Sequence, residues 1–370
     1  MAADLGTLRA VPSFAYSLMM MGAGVGGIAM GWWMDKRGIM QPVLFGAVMI
    51  ALGAMLASKA DGKFDLYLAN GILIGLLGKS AMIAPLIANA MRWFDRRRGL
   101  AIAVISSGQG VAGAVWPSLV RYLTDEIGWR ETFFYYGIFA LVTMLPLALL
   151  LRSPPKVPSE EGVGTGAQKD ARVLGLAPWT VQGVLWLAVI GCCVGMSVPV
   201  VHLVSHATDL GFSRTVGASM LSVLFVAAFI SRISFGMLAD RIGGIKTLLI
   251  GSACQSMMLV VFALVDSQVG LYVAALLFGL GFAGIMPCYP LIIRALFPAS
   301  QTGWRVATQY LFAALGMAFG GWLGGVAYDT SGSYVPAFLT GAAFGVMNFV
   351  LISLVRVRYQ RFHVPTLALA

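Results

Sequence analysis

Charge is what this sequence has least of. Only 11% of its 370 residues are Asp, Glu, Lys or Arg, against about 25% in a soluble globular chain. So few charges could not keep an apolar fraction of 59% in water, and a mean hydropathy of +0.85 points to hydrocarbon as the solvent. Acids are scarcer than bases. All fifteen Asp and Glu residues fall in loops or at helix ends, so no carboxylate stands in an apolar run to relay protons. The four cysteines (Cys192, Cys193, Cys254 and Cys288) lie inside apolar runs, with no CxxC and no metal-ligand spacing to the three histidines. No disulfide framework, metal centre or cofactor is indicated. The loops hold no Ser/His/Asp or His-cluster constellation, and the glycine string SSGQGVAG follows no strand, so an enzyme is not expected. Residues 1–12 lack the basic start and cleavage pattern of a signal peptide.

What is present is a series of apolar runs long enough to cross about 30 Å of hydrocarbon as helices. They fall at 12–33, 42–58, 66–91, 99–121, 132–151, 179–206, 216–238, 246–265, 270–293, 304–328 and 334–355. Each exceeds a membrane strand and none alternates, so the expected fold class is an all-α integral membrane protein. The 45 glycines fit close helix packing in lipid.

Basic residues set the orientation. Placing the loops on alternate sides puts seventeen Lys and Arg on one side and six on the other. The positive-inside bias makes the C-terminus and the hydrophilic break after Arg152 cytoplasmic. With eleven spans, the N-terminus is expected outside. The formal net charge of +10 comes in short clusters between apolar runs rather than along one face, which argues against nucleic acid as a partner. The partner is the lipid bilayer, a bacterial inner membrane is the expected location, and a monomer is expected.

The chain repeats itself. GWWMDKRG at 31–38 and GMLADRIGG at 236–244 both set Asp four residues after Gly, followed by a basic residue and a Gly, in a loop after a span. A second marker follows each, MRWFDRRRGLA from Met91 and IRALFPASQTGWRVA from Ile293. Asp35 to Arg92 is 57 residues and Asp240 to Arg294 is 54. The expected organisation is an N-terminal helical half at 1–152, a cytoplasmic linker at 153–177, a C-terminal helical half at 178–356 and a cytoplasmic tail at 357–370. Upstream, the register breaks. Trp179 to Asp240 is 61 residues with two spans, whereas Met1 to Asp35 is 34 with one. The shortfall is about one span and a turn, so a six-plus-six architecture with its first helix missing is expected.

The repeated loop resembles the signature of the major facilitator superfamily between helices two and three, and its copy falls between eight and nine. WFDRRRGLA (93–101), VPVVHLVSHATDLG (198–211) and GIMPCYPLIIRALFP (284–298) are similar to the oxalate/formate antiporter and monocarboxylate transporter branch. The resemblance implies the major facilitator fold of two six-helix halves, present here as five plus six. Asp35 can pair with Lys36, Arg37 or bases of a neighbouring loop, or cap the N-terminus of an adjoining helix. Such a latch would hold one face shut. The gating residues are Gly31, Asp35, Lys36, Arg37 and Gly38, with Gly236, Asp240, Arg241 and Gly243 in the copy. The plainer alternative is a topogenic basic loop with an interfacial cap; two occurrences favour the gate.

Two cations stand inside apolar runs, where a charge costs about 3 kcal/mol or more. Lys79 lies near the middle of the third span, roughly 18 Å from either end. The resemblance makes this helix four, which lines the central cavity, and an anion-binding role is expected. Arg232 lies at the position where monocarboxylate transporters hold the substrate carboxylate, a task suited to a planar guanidinium. The sequence departs from that branch in having Ala228 where an Asp would stand, and no Lys in 313–321. His202 falls on the VHL segment and is expected to contact substrate or proton, while His206 is expected at the interface. Gln109, Gln255, Gln309, Tyr310, Tyr289 and Asn89 are further candidates for the cavity wall.

Together these imply a secondary active transporter of a small organic anion, a mono- or dicarboxylate, working by alternating access around a basic cavity. A proton or counter-anion would be the coupling species. Efflux of apolar drugs or metabolites, or a non-transporting truncated fragment, are the alternatives.

Overall fold

A computed structural model describes residues 10–94, 97–152 and 172–363. Helices occupy every position where an apolar run was read. They are α1 (Ala10–Arg37), α2 (Met40–Ser58), α3 (Lys63–Trp93), α4 (98–127), α5 (129–149), α6 (Pro178–Asp209), α7 (Arg214–Ile242), α8 (Gly244–Leu264), α9 (Gln268–Leu296), α10 (Thr302–Ser331) and α11 (Val335–His363). Among the described residues there is no strand, and nine of these helices are long and apolar enough to cross a membrane. Helix α11 runs on to His363, into the stretch expected as a tail. Most of the expected linker, 153–171, lies outside the described residues.

Local chemistry sets the helix limits. Gly128, at φ +83°, separates α4 from α5. Pro178 opens α6, where a missing N–H costs nothing. The Oγ atoms of Ser213 and Ser267 accept from the backbone N–H groups of Val216 and Gly270, capping α7 and α9. Gly38 and Gly243, at φ +85° and +87°, end α1 and α7, and each N–H returns to the carbonyl four residues back. That left-handed cap favours glycine, so the last glycine of each repeated loop is a helix stop.

The chain forms two compact units, the first made of 1–95, 108–155 and 298–311, the second of 96–107, 156–297 and 312–370. Each unit thus includes a short segment from the other sequence half. In the first unit, α3 packs against both α1 and α2. Gly22 and Gly26 of α1 and Gly46 and Gly53 of α2 meet its backbone or side chains closely. Its core is rich in alanine, with Ala47, Ala54, Ala57, Ala69, Ala81 and Ala88 fully buried. In the second unit, α11 packs on α6 and α8, and α7 on α9. Here the core is aromatic: Phe262, Phe278, Phe338 and Tyr289 are inaccessible to solvent. On the outside, Phe64, Leu150, Leu264 and Val269 each expose more than 70% of their surface. Water would penalise such an exterior, and lipid does not.

Candidate functional site: two helix-capping carboxylates and two intramembrane cations

Asp35 ends α1 with its side chain 6% exposed. Its carboxylate accepts from the backbone N–H of Gly303 at 3.2 Å and of Trp304 at 3.3 Å, and it pairs with the Arg92 guanidinium. Gly303 and Trp304 form the first turn of α10, whose unpaired N–H groups and positive dipole end favour an anion. Burial pushes the Asp35 carboxyl up to about 6, opposed by the Arg92 charge and the two N–H groups. Gly31, one turn earlier, lies against the Gly303 backbone so closely that a Cβ would strike it.

The second unit repeats this arrangement. Asp240 of α7 accepts from the N–H of Gly99 at 2.6 Å and of Leu100 at 3.0 Å, in the first turn of α4. Gly236 lies against Gly99 as Gly31 lies against Gly303. The sequence marks Asp35 as a cap but does not mark the helix it caps. The signal was present in the second markers, RRRGLA and QTGWRVA, whose glycines are Gly99 and Gly303. The partner of Asp35 is Arg92, while Lys36 stacks over the Trp32 ring at 3.9 Å. Arg37 and Arg241 are exposed.

Lys79 belongs to the first unit, and its helix is irregular there. Residues Leu68–Gly78 are π-helical, Lys79–Ala81 form a 3₁₀ turn, and α-helical geometry resumes at Ala84. Wide turns of this kind concentrate at functional sites. The Lys79 ammonium lies 3.2 Å from the thioether sulfur of Met20 on α1. Among the described residues it makes no ion pair. A thioether is only a weak, neutral acceptor for that charge.

Arg232 belongs to the second unit. Its Nη1 donates to the Ser106 carbonyl of α4 at 2.8 Å. His202 is 9% exposed. Its Nε2 lies 2.8 Å from the Gly321 carbonyl of α10, and its ring stacks on Tyr334 at 5.0 Å. The imidazole fills the space that a Cβ at Gly324 would need. His202 therefore ties α6 to α10 and to Tyr334, the residue just before α11. His206, expected at the interface, is 4% exposed and packs edge-on against Phe338 at 5.0 Å, because its side of α6 faces α11.

Three proposed cavity-wall residues serve packing instead. Tyr289 is fully buried and its hydroxyl meets the Asn348 amide. Gln255 donates to the Cys192 carbonyl at 2.8 Å. Asn89 and Trp93 both donate to the Arg152 carbonyl, at 3.4 and 2.9 Å, fixing the end of α3. The Gln109 side chain lies outside the described residues.

Comparison with known proteins places this geometry in a family. The Major Facilitator Superfamily profile matches residues 1–303 and 185–366. Monocarboxylate transporter 13 of Rattus norvegicus is 27% identical over 315 residues, covering 84% of this chain and 71% of that protein. The MFS-type transporter pynF of Aspergillus niger is 26% identical over 295 residues, covering 79% of this chain and 66% of that protein. Among solved structures, the E. coli fucose:proton symporter FucP superposes with a TM-score of 0.73 at 14% identity, over 95% of this chain and 91% of that one. The human organic anion transporter MFSD10 superposes with a TM-score of 0.68 at 16% identity, over 95% and 87%. At these identities the solved structures speak for the fold alone.

Proposed function

The chain belongs to the Major Facilitator Superfamily, and from that premise we propose that it is a secondary active transporter of a small organic anion, a mono- or dicarboxylate. The observation that carries the reading is Lys79, an intramembrane ammonium beside a thioether, on a helix whose regular hydrogen bonding is interrupted around it. Arg232 supplies the second cation, with the planar fork that suits a carboxylate. The monocarboxylate transporter relatives agree with this substrate class. The two capping carboxylates are proposed as the latch of an alternating-access cycle, with Gly31, Asp35, Lys36, Arg37 and Gly38 in one copy and Gly236, Asp240, Arg241 and Gly243 in the other. His202, bound to a backbone carbonyl by one ring nitrogen, is the proposed proton carrier. Exchange against a counter-anion is the other mode of coupling.

The test is uptake of radiolabelled pyruvate, lactate, oxalate, formate and malonate by vesicles reconstituted with the full chain. At least one should be accumulated, and Lys79→Met and Arg232→Gln should each lower its uptake by 100-fold or more. Uptake unchanged in both variants would remove the anion reading.

Metabolite efflux is the second reading. It is favoured by the apolar groove of about 550 Å³ between α1 and α3, lined by Met21, Val25, Phe64, Leu68 and Ile72 among others, and by the fungal relatives. Export of an apolar dye that survives Lys79→Met would select it.

A further inference from the structure

Residues 173–176 fold back on themselves at the start of α6. The Val173 N–H donates to the Leu176 carbonyl at 2.8 Å, and the Leu176 N–H to the Val173 carbonyl at 3.0 Å. Leu174 takes φ +55°, a left-handed conformation that strains a branched, bulky residue. The side chain gains burial in return and is 4% exposed. It roofs a groove of about 200 Å³ between α6 and α11, walled by Val181, Val184, Leu351 and Leu354. Arg358 stands at the rim, where Nη1 donates to the Leu174 carbonyl at 3.4 Å. That bond uses one of five guanidinium N–H donors. Arg361 follows one helical turn on, Arg172 precedes the turn, and neither 172–184 nor 348–363 contains an Asp or Glu. The surroundings face lipid: Leu354, Val357 and Phe362 are 55–62% exposed. Trp179, 63% exposed in the first turn of α6, is placed as an interfacial anchor.

We infer that this groove is a binding site for an acidic phospholipid, with the phosphate on Arg358 and one acyl chain between α6 and α11. A guanidinium can grip a phosphate through two parallel hydrogen bonds. With no Asp or Glu in 172–184 or 348–363, these bases favour a headgroup of net negative charge, and the Leu- and Val-lined groove accepts hydrocarbon. The strained turn at Leu174 closes the end of the groove, so that the chain enters from the bilayer side.

The test is native mass spectrometry of the full chain in mild detergent, incubated with phosphatidylglycerol or phosphatidylcholine at equal mole fraction. Phosphatidylglycerol should be retained at least tenfold more strongly. Arg358→Gln and Val184→Phe should each lower that retention at least fivefold, without changing the melting temperature in phosphatidylcholine. Arg358→Lys, which keeps the charge but not the fork, should fall between. Inorganic phosphate alone should leave the melting temperature unchanged. Equal retention of the two lipids would overturn the proposal, as would retention unaffected by both substitutions. Stabilisation by inorganic phosphate equal to that by phosphatidylglycerol would do the same. So would a dimer peak lost on Arg358→Gln, which would assign the groove to a second copy.

Discussion

Asp240 accepts a 2.6 Å hydrogen bond from the backbone N–H of Gly99, 141 positions earlier in the chain. The side chain of one repeat thus caps a helix that begins in the other sequence half. Asp35 does the same for Gly303 across 268 positions. Hydrogen bonds to a charged acceptor are worth about 1.5–3 kcal/mol each, enough to set which arrangement of a two-state protein is populated.

Substituting Asp240 by Asn keeps an acceptor and removes the charge. The expected cost is about 1–2 kcal/mol, seen as a melting temperature lower by a few degrees. Gly99→Ala puts a Cβ against the Gly236 carbonyl and should weaken the same contact. A double variant should therefore cost less than the two single costs added, whereas full additivity would show that the two residues act independently.

Arg92 keeps a buried carboxyl ionised. Replacing it with Gln should cost about 3 kcal/mol, as expected when one partner of a buried pair is lost. The Asp35 pKa already stands above its unfolded value of 3.8, and without Arg92 it should rise further. A raised carboxyl pKa means that the native state binds the proton more tightly than the unfolded chain, so stability falls as pH rises through the native pKa. The Arg92→Gln variant should therefore melt several degrees higher at pH 5.5 than at pH 8. Adding Asp35→Asn should flatten that dependence.

Glycine spacing in α10 gives a paired test. Gly324→Ala drives a Cβ into the His202 imidazole, while Gly325→Ala meets nothing within 4 Å. The first should destabilise by about 1–3 kcal/mol. The second should stay within about 0.5 kcal/mol of the parent. Thermal melting of the two purified variants side by side decides it.

Asn348 joins three elements of the second unit. Its amide donates to the Ala188 carbonyl at 2.6 Å and meets the Tyr289 hydroxyl, and its carbonyl accepts from Ser252 at 2.6 Å. Asn348→Leu should cost about 2–3 kcal/mol by leaving buried groups unsatisfied. Ser252→Ala should then cost less in that background than alone, and equal costs would mean that the serine does not depend on Asn348.

The sequence by itself determined the solvent, the number and positions of the helices, the repeat and the two interior cations. Each is a local quantity: hydropathy over a span, spacing between loops, or a charged residue in an apolar run. The glycines at 38 and 243 were legible as loop members because a left-handed helix stop admits little else. Tertiary structure decided the partners. Which helix Asp35 and Asp240 cap depends on backbone N–H groups, which every residue but proline carries, so no residue type marks the recipient. The same holds for Arg232 on the Ser106 carbonyl and His202 on that of Gly321. Tyr289 and Gln255 read as cavity-wall candidates because a polar side chain in an apolar run looks alike whether it faces a cavity or a neighbouring helix. Only packing turned them inward, where Asn348 and the Cys192 carbonyl satisfy them.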